Sequence, residues 1–139
     1  MNLDIHQTVF TPELRIQILE GLAQHAIEST GINGLCHEPI SFEIRDEKQL
    51  KACVVAQLFW GQLHIRYVFV EKLFRGQGLA QTLMEKAFAY GKANGCSFAF
   101  VETMSFQGPS FYKKVGFQIE LVRPGYDKDT SFYYLKRGL

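Results

Sequence analysis

LHIRYVFVEKLFRGQGLAQTLMEKAFAYGKA, running from Leu63 to Ala93, is the stretch around which this 139-residue chain is organised. Its first eight residues, Leu63 to Val70, alternate and then become almost continuously apolar, the pattern of a strand. A helical periodicity begins near Gly76, and a charged turn ending in Arg75, Gly76, Gln77 and Gly78 lies between the two. Glycine lacks a Cβ, so the backbone of such a turn can approach a ligand closely. The unpaired amides of the first helical turn would then point at any anion held there. Arg75 adds a fixed positive charge suited to phosphate oxygens. Glycines also build plain turns, so the residues alone leave two readings open, an anion cradle and a structural turn.

Working outward, Leu79, Leu83 and Ala87 form one apolar series and Ala80, Met84 and Phe88 its neighbour, a broad face that must pack on a sheet. Asn94 and Gly95 suit a left-handed helix end. Cys96 to Thr103 reads as a mostly apolar strand, and the strand, helix, strand order predicts a right-handed crossover with parallel pairing. Upstream, Ile40 to Arg45, Leu50 to Trp60 and Leu63 to Val70 are separated only by Asp46 to Gln49 and by Gly61 with Gln62, which predicts an antiparallel meander.

Further upstream, Thr11, Pro12 and Glu13 start a helix with a cap, a first-position proline and an acid. Leu14, Ile18, Leu22 and Ala26 carry it to about Ser29, Leu3 to Phe10 reads as a short first strand, and Thr30 to Pro39 as a loop. Downstream, a short helix from Pro109 to Lys114 ends at Gly116. Strands at Phe117 to Val122 and Thr130 to Lys136 follow, joined by a turn containing Pro124, Gly125 and Tyr126. The expected class is α/β (α+β): a mixed, mainly antiparallel central sheet flanked by helices, forming one domain over residues 1–139.

Hydrophobic residues make up 47% and charged residues 21%, which argues against disorder as the main state. A net charge of +1 gives no general attraction to nucleic acid or to an anionic membrane. No basic leader precedes an apolar segment, and no apolar run approaches the roughly 20 residues that span a bilayer. The three cysteines, Cys36, Cys53 and Cys96, are odd in number and widely spread, as expected of reduced thiols in a cytoplasmic protein. None has metal-site spacing, so no metal is expected.

The pattern Arg75, any, any, Gly78, any, Ala80, after a strand and before an amphipathic helix, resembles the coenzyme A signature of the GNAT-type N-acyltransferase superfamily. SFQGPSFYKKVGF, from Ser105 to Phe117, resembles the same superfamily's later aromatic signature. One helix and one strand separate the two, in the order that the superfamily requires. Phe69 to Gly78 looks like the form common in an uncharacterised bacterial branch.

The resemblance implies the acyl-CoA N-acyltransferase fold and an acetyl-CoA-dependent N-acetyltransferase. Amides of Gln77, Gly78, Leu79 and Ala80 would cradle the pyrophosphate of acetyl coenzyme A, with Arg75 and Gly76 completing the loop. The main chains of Phe69 and Val70 would bind the pantetheine arm as if it were another strand. Tyr112 would protonate the departing thiolate or hydrogen-bond to the sulfur, and Ser105 stands where many members carry a pantetheine-contacting Asn. Glu71, at the strand end, and Glu102, in an apolar strand, are candidate general bases, with His64 a further candidate.

The acceptor side of this fold would draw on Glu28, His37 and Glu38 and on Tyr126, Asp127 and Asp129. A small-molecule amine is the expected acceptor, with a protein amine the alternative. A homodimer is expected from apolar surface near the carboxyl end. A noncatalytic acyl coenzyme A sensor or protein-interaction module on the same fold is the competing reading.

Overall fold

The computed structural model describes residues 3–32 and 37–139. Residues 3–32 belong to one compact unit and residues 37–139 to another. Within the first unit, helix α1 spans Pro12–Thr30. The Thr11 hydroxyl accepts the Leu14 N–H at 3.1 Å, and Gly31, at φ 79°, closes the other end by donating its N–H to the Ile27 carbonyl at 2.8 Å. Both ends thus satisfy backbone groups that a helix leaves unpaired. Residues 3–10 carry no strand and are exposed throughout, contrary to the expectation. His6 and Gln7 interrupt their alternation, and a strand persists only where a neighbour completes its ladder.

The second unit is a six-stranded sheet with strand order β1-β2-β3-β4-β6-β5, where β1 is Ile40–Asp46, β2 Gln49–Phe59, β3 Gln62–Val70, β4 Phe98–Met104, β5 Gln118–Tyr126 and β6 Thr130–Gly138. β1, β2 and β3 form the expected antiparallel meander. Helix α2, Leu79–Ala93, carries the chain across to β4, which pairs parallel to β3. Short helix α3, Pro109–Lys114, leads into β5. The mixed, mainly antiparallel sheet flanked by helices is therefore as expected.

α2 buries Leu83, Met84, Ala87, Phe88 and Gly91, a stripe at spacing three and four. Opposite it on the sheet lie Val54, Leu63, Ile65 and Leu135, all essentially inaccessible. Burial of each such side chain contributes roughly 1.5–3 kcal/mol. At Gly91 a Cβ would come within 3.0 Å of the side chains of Leu63 and Leu139, so this glycine sets how near α2 lies to β3.

Two boundaries differ from the sequence reading. α2 starts at Leu79 rather than near Gly76, because Gly76 (φ 79°) and Gly78 (φ 77°) adopt left-handed conformations that no right-handed helix contains. β5 runs through Pro124 and Gly125, with its register broken between Arg123 and Tyr126. As the sheet's edge strand it tolerates a proline. The reversal falls instead at Asp127–Asp129, where Lys128 and Asp129 take φ of 60° and 55°.

The feature that creates a site is a fork. β3 and β4 pair only at Leu63 with Ala99, His64 with Phe100 and Ile65 with Val101. Beyond Ile65, β3 stays on β2 as far as Val70, while β4 stays on β6 as far as Met104.

Candidate active site

The chain's local conformation determines which main-chain groups enter the fork. Glu71 donates its N–H to the Lys51 carbonyl at 2.8 Å, so the adjacent pair Ala52 and Val70 is of the non-hydrogen-bonded type. The N–H and C=O of Val70 therefore point away from β2 into the fork, and by alternation so do those of Val68. The main-chain groups of Phe69 face Cys53 on β2, although Phe69 still lines the cavity beside it. Of the two residues named for strand-like pairing, Val70 has the geometry, and Val68 joins it in place of Phe69.

After Val70 the chain makes one 3-10 turn, Lys72–Phe74. The Glu71 carboxylate caps this turn, accepting the Leu73 N–H at 2.8 Å. Arg75 Nε donates to the Val70 carbonyl at 3.2 Å, which ties the arginine to the fork's edge. Gly78 is the N-cap of α2 and supplies no side-chain cap. The first helical bond runs from Thr82 N–H to the Gly78 carbonyl at 3.1 Å, so the amides of Leu79, Ala80 and Gln81 have no intrahelical partner. A Cβ built on Gly76 or Gly78 meets nothing within 4 Å, which leaves open space over this uncapped helix end. The donors and the room together fit an anionic, phosphate-bearing ligand.

These elements wall a cavity of about 620 Å³. Of the residues expected at the cofactor, Phe69, Val70, Arg75, Gly76, Gly78, Leu79, Ala80 and Tyr112 line it, whereas Gln77 and Ser105 do not. The Ser105 hydroxyl accepts the Ser131 N–H at 3.0 Å, and the Ser105 N–H returns a bond to the Ser131 carbonyl at 2.8 Å. That serine fastens the end of β4 to β6. Glu71 does not line the cavity either, its carboxylate being engaged in the cap. Residues that line it without having been expected at the cofactor include Val68, Gln81, Phe106 and Lys114. The last two stand inside the SFQGPSFYKK stretch, where their position relative to Tyr112 was the available signal.

Tyr112 is buried, edge-on to both Phe111 and Phe117. Burial penalises its phenolate and pushes its pKa up to about 12. Its hydroxyl has no hydrogen-bond partner among the described residues, and no fully buried side-chain polar atom there goes unpaired, so the hydroxyl keeps access to the cavity side.

The sheet's other face carries different chemistry. Ala99, Val101 and Thr103 of β4 face the core, and Phe98, Phe100, Glu102 and Met104 face away from it. Glu102 accepts a 2.7 Å hydrogen bond from His64 Nε2, which lowers the carboxyl's pKa. The His64 ring lies parallel to Phe100, with centroids 4.5 Å apart.

Further along this face, Met104, Phe106, Tyr126, Asp127, Lys128 and Thr130 line a second, shallow and open cavity of about 580 Å³. Phe106 belongs to both cavities. Tyr126 and Asp127, expected on the acceptor side, line the second one, and Asp129 does not. Within the second unit, His37 and Glu38 line neither cavity. Glu28 lies in α1, bonded to Gln24, while the His37 carbonyl accepts from Gln57 Nε2 at 2.8 Å. Cys36 lies outside the described residues, and Cys53 and Cys96 are free thiols. Among the described residues no group of three metal-ligating side chains assembles, and no helix is long and apolar enough to cross a membrane.

A forked mixed sheet with an uncapped, glycine-led helix at its mouth is the arrangement that the resemblance to the GNAT superfamily implied. Residues 12–117 match the profile of the acetyltransferase (GNAT) family, and the chain belongs to that family. It is an acetyltransferase. Over 92 residues it is 32% identical to the blasticidin-S acetyltransferase of Streptomyces morookaense, a match covering 66% of this chain and 68% of that protein. In structure it resembles an acetyltransferase from Bacillus cereus, with a TM-score of 0.80 at 23% identity, covering 97% of this chain and 98% of the other. It also resembles a candidate streptothricin acetyltransferase of Bacillus anthracis crystallised with acetyl coenzyme A. There the TM-score is 0.65 at 21% identity, over 73% of this chain and 62% of the other.

Proposed function

We propose that this protein transfers the acetyl group of acetyl coenzyme A directly to a primary amine of a small molecule. One observation carries the reading. The main-chain groups of Val68 and Val70 face a cavity that ends at the uncapped first turn of α2. Acetyl coenzyme A, when bound, supplies the thioester. The amides of Leu79, Ala80 and Gln81 and the Arg75 guanidinium receive its pyrophosphate, and Val68 and Val70 pair with the amide-bearing pantetheine arm. A crystallised neighbour with acetyl coenzyme A supports the ligand at the level of the fold.

Whichever main-chain N–H of Val68 and Val70 the pantetheine arm leaves free is the donor for negative charge developing on the carbonyl oxygen. Tyr112 directs its hydroxyl to the sulfur. A phenol near pKa 12 is a weaker acid than a thiol, whose usual pKa is about 8.5. Tyr112 therefore steadies the leaving thiolate by hydrogen bonding and keeps its proton. The acceptor occupies the second cavity, whose lining joins the apolar side chains of Met104, Phe106 and Tyr126 to one acid, Asp127, and one base, Lys128, a composition suited to an amine with an apolar body. The named activity of the Streptomyces relative supports a small cationic acceptor, and blasticidin S is the first to try.

The test is a calorimetric titration of the protein with acetyl coenzyme A, followed by mass spectrometry of blasticidin S and a panel of primary amines incubated with both. One-site binding and a gain of one acetyl group are expected. A folded protein that binds no acetyl coenzyme A refutes the reading of the cavity.

A further inference from the structure

The second cavity is bounded on one side by the reversal between β5 and β6, whose central residues are not the ones its backbone favours. The Thr130 N–H donates to the Asp127 carbonyl, and the Thr130 hydroxyl donates to the same oxygen at 2.6 Å, so Lys128 and Asp129 sit at the tip. Both take positive φ, 60° at Lys128 and 55° at Asp129. Glycine and asparagine ordinarily fill such positions, because a Cβ there crowds the neighbouring carbonyl. The reversal between β2 and β3 keeps to that rule at its second position, where Trp60 at φ 48° is followed by Gly61 at φ 81°. At the β5–β6 tip two side chains are retained against the backbone's preference. Lys128 lines the cavity, and Asp129 does not.

Backbone strain held at the rim of a cavity points to a side chain that the site uses. Among the described residues the Lys128 ammonium forms no ion pair, and neither does the Asp127 carboxylate beside it. One unpartnered base and one unpartnered acid therefore share a wall with Met104, Phe106 and Tyr126. The neighbouring cation is engaged elsewhere. Arg123 donates from Nη1 to the Tyr126 hydroxyl at 3.2 Å, and its guanidinium lies over the Tyr134 ring. It braces Tyr126, whose ring is tilted against Phe132 with centroids 6.1 Å apart, and so fixes the cavity's aromatic wall.

Resting on the acetyltransferase reading of the two cavities, we propose that the acceptor is a primary amine that also carries a carboxylate, and that Lys128 is the specificity-determining residue that receives this carboxylate. An acceptor with one ammonium and one carboxylate answers both unpartnered charges, and its apolar body meets Met104, Phe106 and Tyr126. The lysine ammonium is a compact point charge on a flexible stem, sufficient for one carboxylate. A phosphate, at close to two negative charges, would need a second cation, and Arg123 is turned to Tyr126. Lys128 lines the acceptor cavity and not the cofactor cavity, so its effect falls on the acceptor's KM.

The test uses the full chain, acetyl coenzyme A and two probes that share an amine and an apolar chain but differ in charge, ε-aminocaproate and ε-aminocaproamide. Wild type should prefer the acid by about fivefold in kcat/KM, the effect of one exposed ion pair. Lys128→Gln removes the charge and keeps a side chain at the strained position. It should bring the preference close to unity by raising the KM for the acid, with kcat and the KM for acetyl coenzyme A within about twofold of wild type. Lys128→Gly should do the same and also raise Tm by about 2–5 °C, because glycine takes φ 60° without strain. A gain in stability with a loss confined to one acceptor marks a side chain kept for its ligand. Wild type that uses the amide as well as the acid overturns the proposal, as does one that acetylates blasticidin S and neither probe. A preference that survives Lys128→Gln, or a Tm that does not rise in Lys128→Gly, overturns it too, and in all these cases the acetyltransferase reading stands. Wild-type protein that binds no acetyl coenzyme A, or acetylates neither blasticidin S nor any amine, overturns both.

Discussion

Gly78→Ala separates a glycine that serves a turn from one that makes room for a ligand. Gly78 has φ 77°, and its added Cβ would meet no protein atom within 4 Å. The fold therefore opposes the substitution only through backbone strain, about 1–2 kcal/mol for a left-handed L-residue. In a domain of this size that lowers Tm by about 3–8 °C. Gly95 provides the control, having φ 80°, equally open surroundings and a place outside the cavity. Gly95→Ala should show a similar Tm loss.

The two variants should part in calorimetry with acetyl coenzyme A. At Gly78 the new methyl stands at the helix end whose amides are proposed to receive phosphate, and it should force at least one charge-assisted hydrogen bond to lengthen, a loss of about 1.5–3 kcal/mol. The dissociation constant should rise roughly tenfold to a hundredfold, while Gly95→Ala binds like wild type. Equal affinities across wild type and both variants would refute the argument that Gly78 is glycine because a ligand approaches it.

Tyr112→Phe should lower kcat about tenfold while acetyl coenzyme A affinity changes little, checked by paired kinetics and calorimetry. The same residue makes alkaline stability testable. Its folded-state pKa is pushed above the unfolded value near 10 to about 12, so its contribution is whole below pH 10 and is lost as pH rises through 12. Wild type should lose up to about 3 kcal/mol more than Tyr112→Phe across that window, measured by urea melts at pH 9 and pH 12. Gly91→Ala adds a methyl 3.3 Å from the fully buried Leu63 Cβ, and the overpacking should outweigh the gain in helix propensity by about 1 kcal/mol, lowering Tm. Asp127→Asn should raise the KM for a cationic acceptor by about fivefold, leaving that for acetyl coenzyme A unchanged, since an exposed ion pair contributes up to about 1 kcal/mol.

Local pattern was enough for the strands of the meander, for α2 and for the glycine turn, because period-two alternation, a period-four apolar stripe and residues without Cβ are each properties of a short segment. The crossover from β3 to β4 followed from order and handedness alone. Local pattern misled at residues 3–10, where a strand needs a partner that alternation cannot supply, and at Pro124, where only edge position makes a proline acceptable in a strand. Glu71 and Glu102 stood out in the sequence as acids beside or within apolar runs, and Ser105 by its place in the family's later signature. Tertiary structure divided them into a cap on a 3-10 turn, a clasp between β4 and β6, and a partner for His64 that lies 38 residues away in the chain. It also chose Val68 and Val70 over Phe69, because hydrogen-bond direction in a strand depends on its register with a neighbour. Sequence by itself determined most of the elements and the glycine turn that leads into α2. The fork, both cavities and the meeting of His64 with Glu102 arose only when strands distant in the chain paired for three residues and then separated.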